Sequence, residues 1–449
     1  MTSHSDADRY RFKYEEQVLA NGLHVVVHEE HSTPVVAVHV MYHVGSKNER
    51  KGRTGFAHLF EHLLFQGSEN VGDDEHIRHV QNAGGTLNGS TWFDRTNYFE
   101  TVPSNQLDLA LWLESDRMGF FLSSITQEKL DNQRDVVKNE RLQSYENRPY
   151  GLAVETVLAS AYPEGHPYRH PTIGYMKDLD EATLDDVRGF FQTYYGPGNA
   201  VLVIAGDVRA RDAFRQVERY FGGLAPANPP PSMDFPADPP EGERRAELTD
   251  RVQAPRVYMM YHAPSFADPV FEVADVLASL LAEGRSSVLY NELVYRRRVA
   301  SEVQAFTWPL ENTGMLWIVA TARPGTSAAD LEAAIDEVLG SVLADGAAPA
   351  AVAGARNRAK RQLVRQLADV GGRADTIAHA VTLRGDAGYV NQCFERYAAV
   401  QDAHIGVLAR QLLRPERRTV VHVSPVPAEG KTDAEVADVS GSRSNGAGQ

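Results

Sequence analysis

The chain has 449 residues, 43% of them hydrophobic and 23% charged, with a formal net charge of -15. That composition belongs to a globular protein with enough chain for more than one core, and it excludes a disordered or fibrous one. The acidic balance speaks against phosphate backbones, so no nucleic acid partner is expected; it is either a solvated surface or a field suited to cationic or neutral peptides.

The first residues, Met1 to Asp8, have neither the basic region nor the apolar core of a secretory signal, so a cytoplasmic protein is expected, periplasmic only if a signal has been removed. Residues 22–30 and 35–46 are rich in valine and predict two strands. Helices are predicted at 55–67 and at 73–83, the second stopped by Gly84-Gly85. A pair of strands, 86–93 and 96–103, flanks Asp94-Arg95. Long helices over 105–122 and 126–145 follow, then shorter ones near 150–161 and 181–195. An apolar strand at 199–207 and a helix to about 221 close a first domain, residues 1–223.

Residues 224–243 are dense in proline and read as a linker, because proline stiffens the chain and removes ladder donors. A second domain covers 244–427, and the polar, Gly/Ser-rich stretch 428–449 reads as a disordered tail. The single cysteine, Cys393, allows no internal disulfide and reads as a small buried hydrophobe. No apolar run is long enough to span a bilayer, so no membrane insertion is expected. The halves repeat each other. Met41-Tyr42-His43 with Ser46 recurs as Met260-Tyr261-His262 with Ser265, an offset of 219, and the strands 201–208 and 419–426 recur at 218. A duplicated α+β domain follows.

The chemistry centres on His58-Leu59-Phe60-Glu61-His62. On a helix, His58 and His62 lie one turn apart on one face, and two imidazoles so placed can hold one Zn²⁺. Glu61 projects beside them as a candidate general base in the H-x-x-E-H order. Leu59, Phe60, Leu63 and Leu64 are expected to anchor the helix in the core. A catalytic zinc needs a third protein ligand on another element. Glu140, within Arg134-Asp135-Val136-Val137-Lys138-Asn139-Glu140, lies 78 residues after His62 on a predicted helix. His24, His28, His39, His43, His76, His79, His166 and His170 lack a paired ligand spacing with a fitting carboxylate and read as structural or surface residues.

These segments resemble the pitrilysin family of zinc peptidases, whose ligand Glu sits in a similar R-x-V-V-x-x-E helix. Gly84-Gly85-Thr86-Leu87-Asn88-Gly89-Ser90-Thr91 is similar to that family's substrate-pairing strand. The resemblance covers about residues 20–425. It implies two homologous α+β domains, each an antiparallel sheet packed with helices, and one Zn²⁺ per chain held by His58, His62 and Glu140. It also implies catalysis by Glu61 on extended peptides in a chamber between domains, with Asn88, Gly89 and Thr91 along the substrate. Its general picture is two halves closing like a clamshell.

Two positions depart from the family pattern. A Glu that supports the site in many members is Gln133 here, which keeps hydrogen bonding but loses the charge. The repeat offset places Leu277, Leu280 and Leu281 at the zinc-motif positions of the second half. After Gly284-Arg285-Ser286-Ser287-Val288-Leu289-Tyr290, the family's Arg and Tyr positions fall on Val294 and Ser301, neither of which can serve an oxyanion as Arg and Tyr would. The chain therefore resembles the zinc-bearing subunit of a two-chain enzyme, whose heterodimer partner is a homologous subunit without zinc that supplies the pair. Two alternatives stay open: a self-sufficient homodimeric peptidase and a non-catalytic scaffold subunit.

Overall fold

The structure is a computed structural model that describes residues 11–227, 230, 233, 235 and 242–426. The first half runs β1 (Glu15–Val18), β2 (His24–Glu29), β3 (Val35–Tyr42), α1 (Phe56–Leu63), α2 (Glu75–Asn82), β4 (Thr86–Thr91) and β5 (Thr96–Pro103). It continues with α3 (Leu107–Ser124), α4 (Gln127–Arg141), α5 (Ala153–Ala161), α6 (Met176–Asp180), α7 (Leu184–Tyr194), β6 (Ala200–Gly206) and α8 (Ala210–Phe221). The second half opens with β7 (Arg244–Asp250), β8 (Arg256–Ala263), α9 (Phe271–Ala282), β9 (Ala300–Trp308) and β10 (Gly314–Ala322). Helices α10 (Ala328–Asp345), α11 (Pro349–Gln366), α12 (Val370–Arg384), α13 (Tyr389–Ala398) and α14 (Asp402–Leu412) precede β11 (Arg418–Pro425).

The sheets have the orders β1-β2-β6-β3-β5-β4 and β7-β11-β8-β10-β9. With β1 set aside, the two orders are the same strand for strand. The repeated segments occupy equivalent strands, β3 with β8 and β6 with β11. Each sheet is antiparallel but for one parallel pair, β2 with β6 and β7 with β11. The expected α+β class with two related sheets is thus met. The described linker residues carry no helix or strand; its remaining residues and the predicted tail, 428–449, lie outside the described residues. Cys393 is buried, and burial pushes its thiol up to about 12. Among the described residues no single helix is long and apolar enough to cross a membrane.

Strands such as β3 read as unbroken apolar runs because both faces are covered. One face of the first sheet, with Val25, Val38 and Val40, packs on Leu59, Phe60 and Leu111 of its own helices. Its other face, with Val26, Met41 and Val203, packs on Val370, Ile377 and Val381 of α12. The second sheet reciprocates: Met260, Trp317 and Val421 pack on Val157 and Leu158 of α5. The halves are therefore interlocked, each sheet backed by a helix of the other. This corrects the clamshell picture for the two halves of one chain, since a hinge at the linker would expose both shared clusters to water.

Polar contacts reinforce the joint. Lys47 pairs with Asp94 at 3.1 Å and with Glu311 of the second half, which also accepts from His43 at 2.7 Å. Within the second half, a separate network gathers half-exposed Arg245 and the more buried Arg418 and His422 around Glu332. Against burial, which raises it, His422 and Arg245 hold the Glu332 carboxyl down to about 2, from 4.5. A depressed carboxyl stabilises the fold above its ordinary pKa and loses that contribution as pH falls through the folded one. Glu332→Gln should therefore cost about 1–3 kcal/mol near neutral pH. Its melting temperature should approach that of the parent as pH falls from above 4.5 toward 2; a difference independent of pH would contradict the assignment.

Candidate active site

Helix α1 starts at Gly55, whose φ of 84° needs a residue without a Cβ. No side chain at that position caps the helix. Instead the buried carboxylate of Glu49 accepts the N–H groups of Gly55 and Ala57 at 2.9 and 2.8 Å. Gly174 lies against this turn, where a Cβ would meet the Gly55 nitrogen at 2.2 Å. Leu59, Phe60, Leu63 and Leu64 are buried as expected. They leave His58, Glu61 and His62 on the opposite, partly exposed face.

Helix α4 brings the third group. Thr126 caps its start by accepting the Lys129 N–H. Arg134 donates to the Ala182 carbonyl and Arg141 to the Gly174 carbonyl, both at 2.7 Å. Arg141 also pairs with Glu146 and Glu155. So held, Glu140 Oε2 stands 3.6 Å from His58 Nε2 and 3.4 Å from His62 Nε2. These separations are long for a hydrogen bond. They match the roughly 3.3 Å between donor atoms that each lie about 2.0 Å from one tetrahedral ion. Two imidazole nitrogens and a carboxylate form a zinc donor set, so the residues present fit that ion. Burial, then the neighbouring His62, lowers the His58 pKa to about 4, keeping its imidazole neutral as ligation requires. The Glu140 carboxyl is lowered by His62 and His58.

Glu61 sits beside this triad. Burial raises its pKa, opposed by the Thr91 hydroxyl, which donates to Glu61 Oε2 at 2.6 Å. Thr91 ends β4, the edge strand of the sheet. Its hydroxyl is thus committed to the base rather than free for a peptide. Gly89, also expected along the substrate, is a close-approach residue: a Cβ there would lie 3.1 Å from the Phe65 ring and 3.2 Å from Glu61 Cγ. Asn88 is exposed on the same strand, with Oδ1 accepting the Gly89 N–H at 2.9 Å. Gly89→Val should push the strand off Glu61 and lower kcat about a hundredfold, since an ångström of misplacement has that order of effect. An unchanged kcat would show that the strand's approach does not set the base.

Gln133 is buried two turns before Glu140 and hydrogen bonds none of the three triad residues. Val294 is buried in the second core, and Ser301 donates to the carbonyls of Thr321 and Ala322. Neither offers a group to a reacting carbonyl. Leu277, Leu280 and Leu281 are core residues of α9.

Two supporting residues escaped the sequence reading. Glu49 caps α1 from six residues upstream, where no motif marks it. Arg95, at the β4–β5 turn, donates to the Ser90 carbonyl and hydroxyl, both at 2.8 Å, and contacts His379 of α12. A cation beside a hairpin turn gives no signal of that reach.

Residues 24–174 match the family described as Insulinase (Peptidase family M16), and residues 181–359 match the Peptidase M16 inactive domain. The zinc protease PqqE of Helicobacter pylori is 34% identical over 339 residues, which cover 74% of this chain and 75% of that relative. The chain belongs to the M16 peptidase family. Another relative, the uncharacterized zinc protease YmxG of Bacillus subtilis, is 24% identical over 396 residues, 87% of this chain and 94% of YmxG. Among solved structures, a protease from Helicobacter pylori has a TM-score of 0.87 at 28% identity, covering 92% of this chain and 100% of that one. An M16 inactive domain from Pseudomonas fluorescens shares the fold, with a TM-score of 0.83 at 16% identity over 93% of this chain and 99% of that one. The inactive-domain match spans α9, where leucines replace the zinc-motif residues.

Proposed function

We propose that this chain is the zinc-bearing subunit of an endopeptidase that cleaves peptides held in extended form along β4. The observation that carries the reading is the convergence of His58, His62 and Glu140 from two helices, with Glu61 beside them and an edge strand alongside. An edge strand offers main-chain hydrogen bonds that tolerate many sequences, as a peptidase cleft needs. His58, His62 and Glu140 would hold one zinc ion, which when bound supplies Lewis acidity to water and to a carbonyl oxygen. Glu61 takes a proton from the attacking water and returns it to the leaving amine. Thr91 fixes the carboxylate of Glu61 so that its other oxygen faces the water. The apolar residues under α1 keep bulk water from the buried side of the site.

The chamber lies between this chain and a second one, because the two halves of this chain are locked together. The partner is a homologous chain that supplies the Arg and Tyr missing at Val294 and Ser301. The test is hydrolysis of a mixed peptide pool by the zinc-loaded chain, with and without such a homologue. Turnover that a chelator removes and added zinc restores supports the reading. No zinc-dependent turnover in either state would sink it.

A further inference from the structure

A second group of side chains converges inside the first core, away from the cleft residues. His76 on α2, Glu100 on β5 and Glu114 on α3 each present a donor atom, all within 4.8 Å of one another. They are 3%, 1% and 1% exposed. His76 Nε2, both oxygens of Glu100 and Glu114 Oε2 have no hydrogen-bond partner. Leaving such groups unpaired in a core costs several kcal/mol, by an order-of-magnitude reckoning. We propose that this chain holds a second, buried metal ion, bound by His76, Glu100 and Glu114.

A shared proton is a poor substitute. His76 Nε2 and Glu100 Oε2 stand 3.5 Å apart, too far for a strong hydrogen bond. A proton between them also leaves the second Glu100 oxygen and Glu114 Oε2 unmet. A water offers only two hydrogens to three carboxylate oxygens. A cation takes one donor atom from each of the three residues at once.

The charges agree. Arg117 donates to Glu114, and its guanidinium lies over the Tyr98 ring at 4.0 Å, with Nε and Nη1 unpartnered. Asp116, also buried, is bonded to Ser68 and Asn70 and acts on His76 from beside the cluster. Burial, opposed by Arg117, pushes the Glu100 carboxyl up to about 8, so Glu100 binds an ion by giving up its proton. The three carboxylates and one guanidinium then leave two negative charges, which one divalent ion neutralises. One imidazole and two carboxylates suit an ion of the zinc class. Its place is structural. It ties α2, β5 and α3 behind Phe65, whose ring neighbours both His76 and Gly89, and so backs the wall on which Glu61 stands.

The test is zinc content by mass spectrometry, after loading with zinc chloride and gel filtration. The parent chain should carry two equivalents, and a His58→Ala/His62→Ala variant, which leaves the core intact, should keep one. Glu100→Gln and His76→Gln should each lose one equivalent and melt at a lower temperature. One equivalent in the parent and none in the His58→Ala/His62→Ala variant would overturn the proposal. So would two equivalents retained by a folded Glu100→Gln chain. Because the cleft and the core are emptied by different substitutions, failure of the buried site is distinguishable from failure of the catalytic one.

Discussion

Replacing Glu61 by Gln is expected to slow peptide hydrolysis about 10²–10⁴-fold, the usual contribution of a positioned general base. Gln has nearly the same shape, and its carbonyl oxygen can still accept the Thr91 hydroxyl that Glu61 Oε2 accepts at 2.6 Å. What is lost is the ability to take a proton. Burial raises the Glu61 pKa, which makes its carboxylate a stronger base than an exposed one. The proposed metal ligands are His58, His62 and Glu140, not Glu61, so zinc content and melting temperature should stay at parent values. The loss should fall on kcat with little change in KM, because the side chain acts in the reaction rather than in binding. A variant that keeps activity within tenfold would remove Glu61 from the mechanism.

Addition of a homologous chain bearing the Arg and Tyr is expected to raise turnover about 10²–10³-fold, the effect of restoring oxyanion donors. The physical reason lies in the second half. Val294 belongs to the second core, and the hydroxyl of Ser301 is spent on two main-chain carbonyls. An arginine placed at 294 would be driven into apolar packing, so Val294→Arg should destabilise the chain without creating activity. The interlocked packing of α5 and α12 keeps the second half from swinging its own groups onto the cleft. Comparing kcat for the chain alone with kcat after titration by the homologue checks this. Robust turnover by the chain alone would show that donors are present which the Arg and Tyr positions do not reveal.

The elements most legible in the sequence were those whose pattern one local rule controls. Valine-rich β2 and β3 and apolar β6 were visible because strands covered on both faces become continuous apolar runs. The H-x-x-E-H helix was visible because its spacing is the chemistry, and Glu140 was visible through the family's pattern around it. The first strand, Glu15–Val18, was not: it is an exposed edge strand of sequence EEQV with no apolar alternation. The parallel pairing of β2 with β6 joins segments almost a whole domain apart, which no local pattern encodes.

The exchange of α5 and α12 was hidden for a related reason. An apolar helix face declares that it is buried, but not which sheet buries it. The same limit applies to Thr91 and Gly89. Their strand was recognised, but contact with Glu61 depends on how α1 crosses the sheet, which is a tertiary fact. His76 carries no local signal of metal binding, because Glu100 and Glu114 lie 24 and 38 residues away on other elements.

His58, His62 and Glu140 are proposed to hold one catalytic zinc ion together. Anomalous diffraction at the zinc edge from a zinc-loaded crystal tests it most directly. A peak is expected about 2.0–2.2 Å from both His Nε2 atoms and from the Glu140 carboxylate. A zinc-saturated crystal with no peak among those three residues would contradict it.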